Sequence, residues 1–175
     1  MSKEQEIEGK FWQFNRVLIS YIDFQQAHEI ASIILEEKLH EEYPLKNRIK
    51  LEALNAGMVI SYCRPFSGNK SVPDLPNRFI NNLEDAEKEI HDALMKDRNT
   101  VIAHSNSEAW NMRPYYESIS GKNILVPLCH GVHKPFFKDI TEKICILSKK
   151  QMETCFLERE RLEKELRPYI PVADS

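Results

Sequence analysis

The chain has 175 residues, of which 42% are hydrophobic and 29% are charged, and its mean hydropathy is -0.49. These values predict a single globular domain over residues 1–175 and exclude a disordered chain. No apolar run approaches the roughly 20 residues that cross a bilayer, so no membrane contact is predicted. The formal net charge of -3 excludes a general positive field for coating nucleic acid. We therefore expect no DNA partner, and any RNA contact must be local.

The first ten residues, MSKEQEIEGK, are polar and acidic. They lack the basic start and the apolar stretch of a secretory signal, so a cytoplasmic location is expected. The absence of CxxC spacing predicts reduced thiols rather than a disulfide framework. The four cysteines are Cys63, Cys129, Cys145 and Cys155.

Apolar residues at spacings of three and four predict helices over about residues 11–40, 45–63, 78–96 and 136–166. Prolines and turn residues punctuate these segments, and residues 67–77 are predicted to form a loop. The residues expected to face the core in the first helix are Phe14, Val17, Leu18, Tyr21, Ile22, Ile30, Ile33, Ile34 and Leu39. Those expected in the second are Ile49, Leu51, Leu54, Met58, Val59 and Tyr62.

Between residues 109 and 135 the helical period disappears. The strings YYESI, SGKN and NILVPLC are typical of two short strands around a turn, which predicts a β-hairpin near residues 115–129. The expected fold class is all-α, or mainly α. It would be an antiparallel bundle of four to five helices with a short β-hairpin insertion.

The candidate chemistry lies in the segment DRNTVIAHSNS, residues 97–107, which contains Arg98 and His104. On one continuous helix these two side chains would lie about 120° apart and would not face one target. We expect a chain turn near residues 97–99 that puts Arg98 at a helix start and directs it towards His104. An imidazole can accept the proton of a ribose 2′-hydroxyl, while a guanidinium holds the phosphate oxygens. Alternatively, Arg98 caps the end of its helix and His104 packs at an interface.

The string RNTVIAHS resembles the signature of the HEPN superfamily, an arginine followed by four to six residues and a histidine. The surrounding HDALMKDRNTVIAHSN and the earlier ISYCRPF resemble segments of toxin-like and abortive-infection-like members. The resemblance implies a helical bundle that dimerises with the motif at its interface. Many members are metal-independent endoribonucleases, so the resemblance also implies this activity. Arg98 and His104 would then be catalytic, and Asn99 would orient them or the phosphate.

Our leading hypothesis is therefore a homodimeric HEPN ribonuclease acting on an RNA substrate and leaving 2′,3′-cyclic phosphate ends. A two-fold dimer would place two arginines and two histidines around one cleft. Such an enzyme could be a toxin or a phage-defence effector, with an antitoxin or a nucleotidyltransferase as its partner. The alternative hypothesis is a catalytically silent HEPN module for dimerisation or partner docking.

Arg64 and His91 are supporting candidates with structural alternatives. Arg64 ends the second predicted helix, where it could contact the same phosphate or serve the carbonyls at the C-terminus of its own helix. His91 lies seven residues before Arg98 on nearly the same helix face, and it could support the site or simply be a buried or interface histidine.

No cofactor is expected. The sequence has no GxxxxGK[ST], GxGxxG, HExxH or GxSxG motif. The residues Cys129, His130 and His133 are of metal-ligating types, but adjacent ligands in a strand point in different directions. We therefore predict no metal site.

Overall fold

A computed structural model describes residues 2–41, 47–67, 73–99, 112–119, 121–129 and 136–170. Its helices are α1 (Lys3–Glu36), α2 (Arg48–Cys63), α3 (Arg78–Asn81), α4 (Asp85–Asp97) and α5 (Lys138–Leu166). Its strands are β1 (Met112–Ile119) and β2 (Lys122–Cys129). Short 3-10 turns, Arg64–Phe66 and Arg167–Tyr169, extend α2 and α5. The predicted mainly α bundle with one hairpin is confirmed.

The first helix begins earlier than the apolar pattern predicts. The Ser2 hydroxyl accepts a hydrogen bond from the Gln5 amide at 3.2 Å, and the Gln5 side chain accepts one from the Ser2 amide at 2.9 Å. This reciprocal capping box satisfies two amides that the first turn leaves unpaired. Glu4 and Glu6 add negative charge at the positive end of the helix dipole. Polar residues can therefore start α1 well before its apolar stripe.

The core lies mainly between the two long helices, α1 and α5, with α2 packed on α1 and α4 on both α2 and α5. Two small residues of α1, Ala27 and Ala31, are both fully buried. The larger buried side chains are Val17, Phe24, Ile34, Met58, Val59, Tyr62, Phe79, Leu94, Ile144, Leu147 and Leu162.

The prediction of one helix over residues 78–96 is wrong, because the chain breaks between α3 and α4. Glu84 is the N-cap of α4, and its amide donates to the Glu87 carboxylate at 2.8 Å in a second capping box. Such a cap needs extended backbone at its first residue, which ends any helix before it. Phe79, Leu83 and Leu94 nevertheless all face the core, as the apolar stripe predicts.

Three isoleucines that were predicted to face the core are exposed instead. Ile22, Ile33 and Ile49 are 65%, 40% and 76% exposed, respectively. In α1 the buried face includes Arg16 and Asp23, which an apolar pattern assigns to solvent. The inward face of α1 is therefore rotated away from Ile22 and Ile33.

The predicted β-hairpin is present as β1 and β2, which pair antiparallel from Met112 opposite Cys129 to Ile119 opposite Lys122. Gly121 lies in the connecting turn with a φ of 73°, a conformation that glycine adopts without steric cost. Pro114 lies opposite Pro127, and neither has an N–H to donate. This fits a position where an antiparallel ladder forms no hydrogen-bonded pair.

No helix within the described ranges is long and apolar enough to cross a membrane.

The rotation of α1 gives a direct stability test. Ile34 is 1% exposed, whereas Ile22 on the same helix is 65% exposed. We expect Ile34→Ala to lower the free energy of unfolding by about 2–5 kcal/mol, because it removes buried methyl groups and leaves a cavity. The matched Ile22→Ala variant should change it by less than about 0.5 kcal/mol. Urea unfolding followed by circular dichroism measures both, and equal losses would contradict the observed orientation of α1.

Candidate functional site

Arg98 lies directly after α4, and its backbone is helical, with φ -55° and ψ -46°. Its amide donates to the Leu94 and Met95 carbonyls, and Arg98 and Asn99 form a π-helical turn that prolongs α4. The expected chain turn at residues 97–99 is therefore wrong for these residues. Arg98 extends the C-terminal end of α4, where a cation is favourable because the helix dipole is negative there.

Among the described residues, the Arg98 side chain makes one hydrogen bond, to its neighbour Asn99. Its Nη1 donates to Asn99 Oδ1 at 2.9 Å. Within the part of the chain that the structure describes, no carboxylate forms an ion pair with this guanidinium. A guanidinium has five N–H donors, and the contact with Asn99 uses one of them.

Arg98 also lies close to the end of α2. Burial raises the pKa of the Cys63 thiol to about 12, and the nearby positive charge of Arg98 opposes that increase.

His104, the proposed base, lies outside the described residues.

Arg64 is engaged by α1. Its Nη1 donates to Asp23 Oδ1 at 3.2 Å and to Gln26 Oε1 at 3.3 Å. These partners belong to α1, so neither contact serves a carbonyl at the C-terminus of α2. Burial raises the pKa of the Asp23 carboxyl, while Arg64 and Arg16 hold it down. The described contacts of Arg64 therefore favour a role in joining α2 to α1.

Arg16 completes this junction. The side chain is 1% exposed, and its Nη2 donates to the Arg64 carbonyl oxygen at 2.6 Å. Its Nε is buried and has no hydrogen-bond partner among the described residues. Burial lowers the pKa of the guanidinium, while Asp23 and Asp74 oppose that effect. Arg16 was not predicted as a buried residue, since a lone arginine is most often at the surface.

His91 is a core residue, 4% exposed. Its Nδ1 lies 3.2 Å from the Tyr62 hydroxyl, and its ring meets the Phe66 ring edge-on at 4.7 Å. Burial lowers the pKa of the imidazole, which Asp92 partly opposes. These contacts attach α4 to the end of α2, so the structure favours the buried alternative for His91.

The described residues contain no cluster of three or more histidine, cysteine or acidic side chains that could hold a metal ion. The side chains of Cys129, His130 and His133 lie outside the described residues. Of the predicted site, the structure thus places Arg98 and Asn99 side by side, with His91 in the core behind them and Arg64 turned onto α1.

No protein-family model, curated protein or solved structure matches this chain. The HEPN resemblance therefore depends on the quoted strings alone.

The buried His91 predicts a stability that falls in mild acid. Its pKa is lowered in the fold, so below about pH 6.5 the unfolded chain binds a proton that the folded chain refuses. Stability should decline by up to about 1.4 kcal/mol per pH unit until the folded pKa is reached. We expect His91→Gln to remove this part of the decline, measured by urea unfolding between about pH 7 and pH 5.

The control for this prediction is His40→Gln. Burial also lowers the pKa of His40, with Lys138 adding to the effect. The control should therefore remove only the His40 contribution and leave the part that belongs to His91. An unchanged decline in His91→Gln would contradict the prediction.

Proposed function

We propose that the protein is a metal-independent endoribonuclease of the HEPN type that acts as a homodimer, with Arg98 and His104 at its active site. The observation that carries this proposal is that three arginines differ in their burial and in their contacts. Arg16 is buried and Arg64 is bound to Asp23, whereas Arg98 is held only by its neighbour Asn99 among the described residues. Arg98 is thus the one of the three that is neither buried nor paired with a carboxylate among the described residues.

The proposed chemistry needs no metal, because the RNA supplies its own nucleophile. Arg98 would bind the non-bridging oxygens of the scissile phosphate, where its planar guanidinium matches two acceptors. His104 would accept the proton of the 2′-hydroxyl as the 2′-oxygen attacks phosphorus. The bond to the 5′-oxygen then breaks, leaving a 2′,3′-cyclic phosphate and a 5′-hydroxyl. The leaving oxygen takes a proton from His104 of the partner subunit.

Asn99 has a defined role in this proposal. Its Oδ1 accepts from Arg98 Nη1, which restrains the guanidinium plane at the end of α4. A restrained guanidinium loses less side-chain entropy when it binds phosphate. As the negative charge on the phosphate increases in the transition state, a cation that is already in place stabilises it without reorganisation.

The competing proposal is a catalytically silent HEPN module for dimerisation or for docking an antitoxin or a nucleotidyltransferase. The net charge of -3 and the exposed Ile22 and Ile49 favour it, because exposed aliphatic side chains are suited to a protein interface. The absence of a carboxylate partner for Arg98 among the described residues favours the enzyme.

An RNA cleavage assay in the presence of a chelator separates the two. We expect the wild type to cleave mixed RNA to cyclic phosphate ends, and His104→Ala and Arg98→Ala each to lose about 100-fold or more in rate. Arg98→Lys should recover only part of the activity, since an ammonium lacks the planar fork. Product ends are measured by mass spectrometry of the fragments.

The matched control is Lys96→Ala, which removes one positive charge from the same end of α4 and should keep wild-type activity. Each variant must remain folded and dimeric by circular dichroism and sedimentation. No cleavage by any of the proteins, or equal cleavage by all of them, would exclude the enzymatic proposal and leave the docking module.

A further inference from the structure

A second group of reactive side chains lies where α1 packs against α5. The Cys145 sulfur is 3.2 Å from His28 Nδ1 and 3.5 Å from the Ser32 hydroxyl. The same Nδ1 lies 3.0 Å from the Cys145 carbonyl oxygen. Cys145 and His28, which are 117 positions apart in sequence, thus form a cluster with Ser32. The proposed ribonuclease site does not use this cluster.

The other two cysteines with described side chains have a different environment. Cys63 and Cys155 are fully buried, and burial raises the pKa of each thiol to about 12. A buried, protonated thiol is a poor nucleophile. Cys145 is only partly buried, and it is the one of these three whose sulfur touches an imidazole.

The geometry can hold a thiolate. A carbonyl oxygen can only accept, so Nδ1 carries a proton and donates it between two acceptors, the Cys145 carbonyl oxygen and the Cys145 sulfur. Uptake of the thiol proton at the other ring nitrogen, Nε2, gives an imidazolium that keeps this Nδ1–H contact with the thiolate. The Ser32 hydroxyl can donate to the same sulfur, so the thiolate receives two hydrogen bonds. The nearby charged residues in sequence are Glu29 on α1 and Glu142 and Lys149 on α5, the last two about one helical turn from Cys145.

We propose that Cys145 is a thiol–disulfide exchange site for low-molecular-weight disulfides, with the His28 Nδ1–H as a hydrogen-bond donor to its thiolate. The thiolate attacks one sulfur of the disulfide, whose S–S bond breaks as the new S–S bond to Cys145 forms. The departing thiolate takes the proton from the His28 imidazolium and leaves as a thiol. Cys145 is thereby oxidised to a mixed disulfide, and the other half of the reagent is reduced.

The test uses dithiodipyridine, a small uncharged disulfide whose released thione is coloured, on the full chain carrying Cys129→Ser. We expect one fast equivalent per chain, located on Cys145 by peptide mapping and lost in Cys145→Ser. Cys63 and Cys155 should react only after unfolding. His28→Asn should slow the fast phase about tenfold, because the thiolate loses its hydrogen bond from the imidazole.

First labelling at Cys63 or Cys155, or a folded His28→Asn variant with an unchanged rate at Cys145, would overturn the proposal.

Discussion

A buried guanidinium constrains the way in which the first two helices meet. Arg16 is 1% exposed and donates to the carbonyl oxygen of Arg64 at the end of α2. A charge so far from water is tolerated only where hydrogen bonds and opposite charge compensate it, and here Asp23 lies nearby on the same helix. The side chain of Arg64 turns onto that same carboxylate. The junction thus involves both Arg16 and Arg64, whereas Arg98 contacts only Asn99 among the described residues.

The position of Arg98 follows from the packing behind it. The turn after α2 brings Phe66 against His91, whose ring also contacts Tyr62. His91 and the fully buried Leu94 fix the middle of α4 to the core. Arg98 extends the same helix one turn beyond Leu94, so a rigid element carries it and its charge has a fixed place on the surface.

The sequence predicted the helices better than their faces or ends. Apolar spacing identifies helices because it measures burial, but it assigns every polar residue to solvent and so could not place Arg16 or Asp23 inside. The start of α1 could have been found, since Ser2 followed by Gln5 is the sequence signature of a capping box. The contacts of Arg64 with α1 could not, because they join residues about 40 positions apart. Arg98 was found only through the string around it, which carries no information about its partners.

The two proposed sites are held by different parts of the bundle. Cys145 lies on α5 at its contact with α1. Lys150 of α5 binds Glu87 in the first turn of α4, with its ammonium 2.6 Å from the carboxylate. Arg98 lies at the opposite end of α4. A mixed disulfide at Cys145 would disturb the packing of α5 on α1. It could affect α4 through the contact of Lys150 with Glu87 in the first turn of α4. His91 lies between that turn and Arg98 and is anchored to α2 rather than to α5. Modification of the thiol should therefore change the stability of the bundle more than the orientation of Arg98.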